Sequence, residues 1–301
     1  MKYVLVGSLG NINKSLVRIL TSAKQEVTVI THHPSRVSEI EKTGARTAVG
    51  SVEDTDFLSR SFLDADVVYT MVPPKYDAPD MKKHIHQIGR NLAAAIKGSG
   101  VQKVVNLSSV GAHMSSGSGP VVGLHRVELE LNALNDVDVK HLRPGYFYFN
   151  FFPITGMIRQ AGFYGNNFGP TADVFMVHPD SIAEAAAQEI LNPTFTGKSF
   201  RYVADDMRNN LQITNVLGNA IRKPDLKYVE FSDEQAQQGM IAAGMPPNVA
   251  ENYAEMGRSI RTGEMMADLK KANIPLGRIK LEDFAPVFAE TYAQEGVLHE
   301  A

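Results

Sequence analysis

Gly7 and Gly10 close an apolar run, Tyr3 to Val6, and stand just before apolar positions at Ile12, Leu16, Ile19 and Leu20. A strand, a glycine turn and an amphipathic helix in that order make a cradle for a diphosphate. The first glycine permits the sharp bend, the second lets backbone N–H groups approach the phosphates, and the helix N-terminus contributes the positive end of its dipole. Ser8, Leu9, Asn11 and Ile12 complete the turn expected to meet a dinucleotide. The third glycine of such turns lets helix and strand pack closely. Asn13 stands there instead, and its side chain is expected to hold the helix slightly farther from the strand.

The choice of dinucleotide is read at the end of the second strand. An acidic residue there accepts from the ribose 2′-hydroxyl of NAD, whereas the 2′-phosphate of NADP wants positive charge. The stretch "VITHHPSR" offers Thr31, His32, His33 and Arg36 and no carboxylate. NADP(H) is therefore expected ahead of NAD(H), with His32 and Arg36 reading the phosphate. The bland alternative is a solvated loop whose cations contact nothing.

Positioning these residues requires a large fold. The chain has 301 residues, 44% of them hydrophobic, enough for one large domain or two joined ones. Apolar runs "KYVLVG", "EVTVIT", "ARTAVG", "DVVYTMV", "KVVNLSS" and "DVKHLRPG" alternate with helical segments such as "PSRVSEIEKTG" and "DFLSRSFLDA". Near-continuously apolar strands joined by helices imply a parallel sheet covered on both faces, so the expected class is α/β with a doubly wound parallel sheet. Residues 1–150 are expected to form the dinucleotide-binding domain, with about 174–204 ("DVFMVH", "PDSIAEAAAQEIL", "KSFRYVA") returning to it. Residues 151–301 then form a smaller, mostly helical substrate domain of mixed α/β character.

Charge and composition exclude other classes. Thirty basic and 33 acidic residues give a net charge of −3 without a basic run, which argues against direct nucleic-acid binding. Without cysteine there is no disulfide or thiol chemistry, so redox chemistry needs a borrowed cofactor. No leader pattern or membrane-length apolar segment is evident, and a cytoplasmic protein is expected. His84 and His86 lie two apart, on different sides of a helix, and no metal site is expected.

Four stretches, "VGSLGNINKSLVRIL", "GSVEDTDFLSRSFLDADVVYTMVP", "GVQKVVNLSSVGA" and "HRVELELNALNDVDVKHLRPGYFYFN", resemble in order and spacing the NmrA-like, NAD(P)H-binding branch of the atypical short-chain dehydrogenase/reductases, which includes quinone and azo-dye reductases. "NPTFTGKSFRYV" and "LEDFAPVFAETY" are similar to the family's second-domain pattern. The resemblance implies a Rossmann-like fold and a cofactor lying along Ser51, Val52, Val72, Pro73, Ser108, His125 and Pro144, with Ser51 where relatives commonly carry the aspartate facing adenine.

It also implies a departure in the chemistry. The wider superfamily uses a Tyr-x-x-x-Lys pair to exchange a proton with an alcohol or carbonyl. By resemblance, Val121 holds the tyrosine position and His125 the lysine position, and none of the ten tyrosines has a lysine four residues later. Candidates for the catalytic end are Ser108, Ser109 and His125, a histidine being able to steer a proton near neutral pH. Tyr146, Phe147 and Asn150 are candidates to face a planar substrate, although aromatic residues at a strand end are more often core. The loop 111–123 reads either as a lid or as a mobile connector. Two functions remain open: an NADPH-dependent reductase passing hydride to a small quinone-like or conjugated acceptor, and a non-catalytic NADP sensor acting on a regulatory protein partner, as the resemblance to the regulator NmrA implies.

Overall fold

A computed structural model describes residues 1–299, with side chains through 294. The described residues form two compact units: 1–115, 120–143 and 182–202 make the first, and 116–119, 144–181 and 203–299 the second.

The first unit opens with β1 (Lys2–Val6), α1 (Asn13–Ser22), β2 (Glu26–Thr31), α2 (Val37–Glu41), β3 (Arg46–Val49), α3 (Thr55–Phe62) and β4 (Val67–Thr70). It continues through α4 (Met81–Ser99), β5 (Lys103–Leu107), α5 (Val121–Asn132) and β6 (Asp138–Pro144). Its sheet runs β10-β6-β5-β4-β1-β2-β3, where β10 is Lys198–Val203. The strands from β6 to β3 pair in parallel throughout. Chain order reverses between β1 and β4, and ligands of doubly wound sheets bind at the C-terminal ends of such neighbours. Val4, Val6, Ile30, Val68, Val104 and Val139 of the sheet pack with Leu58, Phe62, Ile88, Leu92 and Val127 of the helices in one core. Those strand residues share one face, and Tyr3, Leu5, Val29, Val67, Tyr69 and Val105 on the other face are buried too, as the near-continuous apolar runs dictate.

The second unit holds β7 (Tyr146–Phe147), α6 (Ile154–Ala161), β8 (Phe163–Asn166), β9 (Val174–Val177), the start of α7 (Pro179–Leu191), β11 (Asp206–Arg208), α8 (Asn210–Ala220) and β12 (Lys227–Glu230). Helices α9 (Asp233–Ala242), α10 (Pro247–Arg261), α11 (Ala267–Ala272) and α12 (Leu281–His299) follow. Its strands form two small sheets, β11-β9-β7 and β12-β8. Phe284 of α12 anchors its core: Tyr148 stacks on it at 5.3 Å, and Phe149, Phe151 and Phe152 surround it. Among the described residues, no helix is long and apolar enough to cross a membrane.

Candidate functional site

The turn after β1 is shaped by two glycines for different reasons. Gly7 has φ +95°, and a Cβ on it would lie 2.9 Å from Met71 Sδ, just past β4. The positive φ disfavours a side chain there, and the Met71 thioether would have to shift to admit one. Gly10 is exposed, and a Cβ on it would meet nothing within 4 Å. Its N–H donates to Ser8 O at 2.7 Å, which tightens the turn. Ser8 Oγ is buried and has no hydrogen-bond partner among the described residues.

Asn13 acts as a tie rather than as the spacer its size suggests. It is buried, and its Nδ2 donates to Val6 O at 3.1 Å and to Gly7 O at 2.6 Å. The carboxamide thus binds the start of α1 to the end of β1, where a glycine would simply leave room. Helix α1 starts without a side-chain cap and without an acid in its first turn. Its N-terminus therefore keeps the positive end of its dipole uncompensated by side chains of the helix, an arrangement that favours an anion. An unpartnered buried hydroxyl, an open second glycine and an uncapped helix together fit a bound dinucleotide.

Arg36 reaches this turn from β2's far side. It ends a 3₁₀ turn, Pro34–Arg36, and its Nη2 donates to Leu9 O at 3.2 Å while Nη1 pairs with Glu39 at 2.6 Å. His32 and His33 are exposed, with ring centroids 3.5 Å apart. The structure thus brings Arg36 and Leu9 together across 27 positions of sequence.

The loops after β3 and β4 are linked to each other. Ser51 is exposed, and its Oγ accepts from Glu53 N at 3.1 Å. Asn91 of α4 donates to Val52 O at 3.2 Å, and Glu53 pairs with Lys75 at 2.9 Å. Val72 and Pro73 follow β4 and are half-buried.

Past β5, Ser108 is buried and its Oγ donates to Glu128 Oε1 at 2.5 Å. Arg143 grips the same carboxylate with two bonds, Nε to Oε1 at 3.0 Å and Nη2 to Oε2 at 2.6 Å. Burial disfavours the Arg143 charge, but the Glu128 carboxylate outweighs that and holds its pKa above the ordinary value. Such a fork is strong and directional. Arg143 also lies over the Phe200 ring, 4.1 Å from its centroid. Ser109 is half-buried.

His125 Nδ1 lies 2.8 Å from Ala112 O. A carbonyl can only accept, so Nδ1 carries the proton and the neutral ring presents Nε2 as an acceptor. Ser108 turns to Glu128 and His125 to Ala112, so these two candidates do not bond each other. Val121 is buried and apolar at the place the resemblance gives to the tyrosine.

In the second unit, Pro144 is buried and Asn150 exposed. Tyr146 packs against Phe151 and Phe168, with centroids 5.4 and 5.7 Å away, and burial pushes its phenol well above its usual pKa. Phe147 is half-buried; Tyr148 and Phe151 belong to the core. His86, one of the two histidines read as lying on different sides of a helix, contacts Glu130 at 2.7 Å.

The residues that sequence reasoning missed are Glu39, Asn91, Glu128 and Arg143. Glu128 left one legible signal, a carboxylate on the stripe of α5 that also buries Val121, Val127 and Leu131. An acid on a buried stripe requires a partner.

An NAD(P)H azoreductase of Xenophilus azovorans is 24% identical over 255 residues, 84% of this chain and 85% of that protein. Among solved structures, an NADPH-dependent quinone oxidoreductase of Escherichia coli complexed with NADPH superposes with a TM-score of 0.80 at 17% identity, over 98% of this chain and 99% of that one. A Citrobacter sp. triphenylmethane reductase complexed with NADP(H) gives 0.77 at 19% identity, over 95% and 99%. These two likenesses show a shared fold. The sequence itself matches the model of the NmrA-like family over residues 2–273, and the chain belongs to that family.

Proposed function

We propose that the protein is an NADP(H)-dependent reductase that passes hydride to a quinone-like or otherwise conjugated small acceptor. The observation that carries this reading is Arg36: it is bonded to the carbonyl of Leu9 inside the glycine turn, so a cation stands beside the diphosphate cradle. The azoreductase, quinone oxidoreductase and dye reductase relatives support the same reading.

A bound nicotinamide supplies the hydride, which leaves the protein to bind, orient and shield. Gly7, Ser8, Leu9, Gly10, Asn11 and Ile12 hold the diphosphate, and Arg36 with His32 receives the 2′-phosphate. Ser51, Val52, Val72 and Pro73 flank the adenine end, and Ser108, His125 and Pro144 the nicotinamide end. Tyr146, Phe147 and Asn150 are assigned to the acceptor. A conjugated acceptor spreads the incoming charge and can take its proton from water, so the buried Val121 in the tyrosine's place removes chemistry that such a substrate does not need.

The test is titration with NADPH and NADH, followed by loss of nicotinamide absorbance in the presence of a benzoquinone or an azo dye. Tight NADPH binding with turnover of at least one acceptor supports the proposal. Binding without turnover of any acceptor sinks it in favour of a dinucleotide sensor with a protein partner.

A further inference from the structure

Glu39 is the acid nearest in the structure to Arg36. Its carboxylate takes Arg36 Nη1 at 2.6 Å while the same guanidinium bonds Leu9 O through Nη2. Both side chains are about half exposed, 41% for Arg36 and 48% for Glu39. No carboxylate lies within residues 31–36, so the end of β2 looks free of acid in sequence. In three dimensions the acid is supplied one helical turn later, on α2, and is bonded to the phosphate-reading cation itself.

The geometry points to Glu39 as a specificity-determining residue that holds down the preference for NADP(H) over NAD(H). This rests on the cofactor reading given above. A 2′-phosphate approaching Arg36 meets a guanidinium already engaged by a carboxylate, and the two anions repel across it. A 2′-hydroxyl carries no charge and is not repelled by that carboxylate. Glu39 therefore weakens the phosphorylated cofactor and tolerates the other. Wild type is expected to favour NADPH, by less than about ten-fold, because the exposed pair is partly screened by solvent.

The experiment is calorimetric titration of the full chain with NADPH and NADH for wild type, Glu39→Gln, Glu39→Ala, Arg36→Ala and the Arg36→Ala/Glu39→Gln double variant, with thermal melts confirming the fold. Removing the carboxylate is expected to tighten NADPH about three- to ten-fold and to leave NADH within about two-fold, the gain shrinking as salt is raised. In the Arg36→Ala background, Glu39→Gln is expected to change little, since the acid acts through the cation. The inference is overturned if wild type prefers NADPH, Arg36→Ala abolishes that preference, and both Glu39 variants leave it unchanged or reduce it; Glu39 then only orients Arg36. If wild type binds neither cofactor, the cofactor reading fails and the inference falls with it.

Discussion

The Asn13 carboxamide donates to the carbonyl oxygen of Gly7 at 2.6 Å and to that of Val6 at 3.1 Å, closing the strand-to-helix turn with a side chain. Asn13→Ala removes both bonds and leaves two carbonyl oxygens at the end of β1 without that donor. A loss of about 1–3 kcal/mol is expected in urea denaturation, with weaker dinucleotide binding from a looser turn. An unchanged midpoint would show that the bonds contribute nothing net.

Gly7 and Gly10 are expected to respond oppositely. Gly7→Ala forces a side chain into a φ of +95° and against Met71, so it should destabilise the fold by about 1–2 kcal/mol or more. Gly10→Val meets no neighbour within 4 Å, so its melting behaviour should stay within about 0.5 kcal/mol of wild type. Its affinity for NADPH should nonetheless fall more than about ten-fold, because the branched side chain covers N–H groups the phosphates need. Retained NADPH affinity in Gly10→Val would move the diphosphate elsewhere.

His125 is expected not to be an essential acid. Its Nδ1 proton is engaged by Ala112 O, so only the doubly protonated ring has an N–H to give from Nε2. His125→Ala should lower NADPH-driven quinone turnover by less than about ten-fold, an effect of positioning, whereas losing a true general acid costs about a hundred-fold or more. Turnover measured across pH decides: a loss beyond a hundred-fold, together with a wild-type rate that falls as pH rises and a variant rate that does not, would make His125 the proton donor.

His141 makes stability depend on pH. It is buried between Asn106 and Asn132, at 3.0 Å from each, and burial lowers its pKa from 6.5 to about 4. The unfolded chain therefore binds more protons than the folded one between those values. Stability should be full above the unfolded value and decline as pH falls through 6.5 towards 4, by up to about 3 kcal/mol. Denaturation midpoints for wild type and His141→Asn over this window check it; parallel curves would assign the decline to other groups.

The parallel sheet was legible because its strands are apolar runs long enough to be buried on both faces, as "KYVLV" and "EVTVIT" are. The strands of the second unit were harder. "FYGN", "DMR" and "KYVE" are short and mix polar with apolar or aromatic residues, and only their pairing partners make them strands. Within the site, Gly7 and Arg36 could be named because strand end, turn and charge are local properties. The Arg36–Glu39 bond and the Arg143–Glu128 fork depend on which side-chain rotamer or which distant element meets the charge, and residue type does not encode that. The loop 111–123 shows the same limit. Its small polar residues suggested mobility, yet Ser118 and Gly119 are buried, and Gly119, at φ +59°, lies against the Asn252 carbonyl within the second unit.

A hydroxyl has one proton, and the bond from Ser108 to Glu128 settles where that proton points. At the end of β5 the serine is left with lone pairs only, and Arg143 holds the carboxylate in place with two hydrogen bonds. That strand end, in the interior of the sheet order, therefore offers an acceptor at Ser108 Oγ rather than a donor.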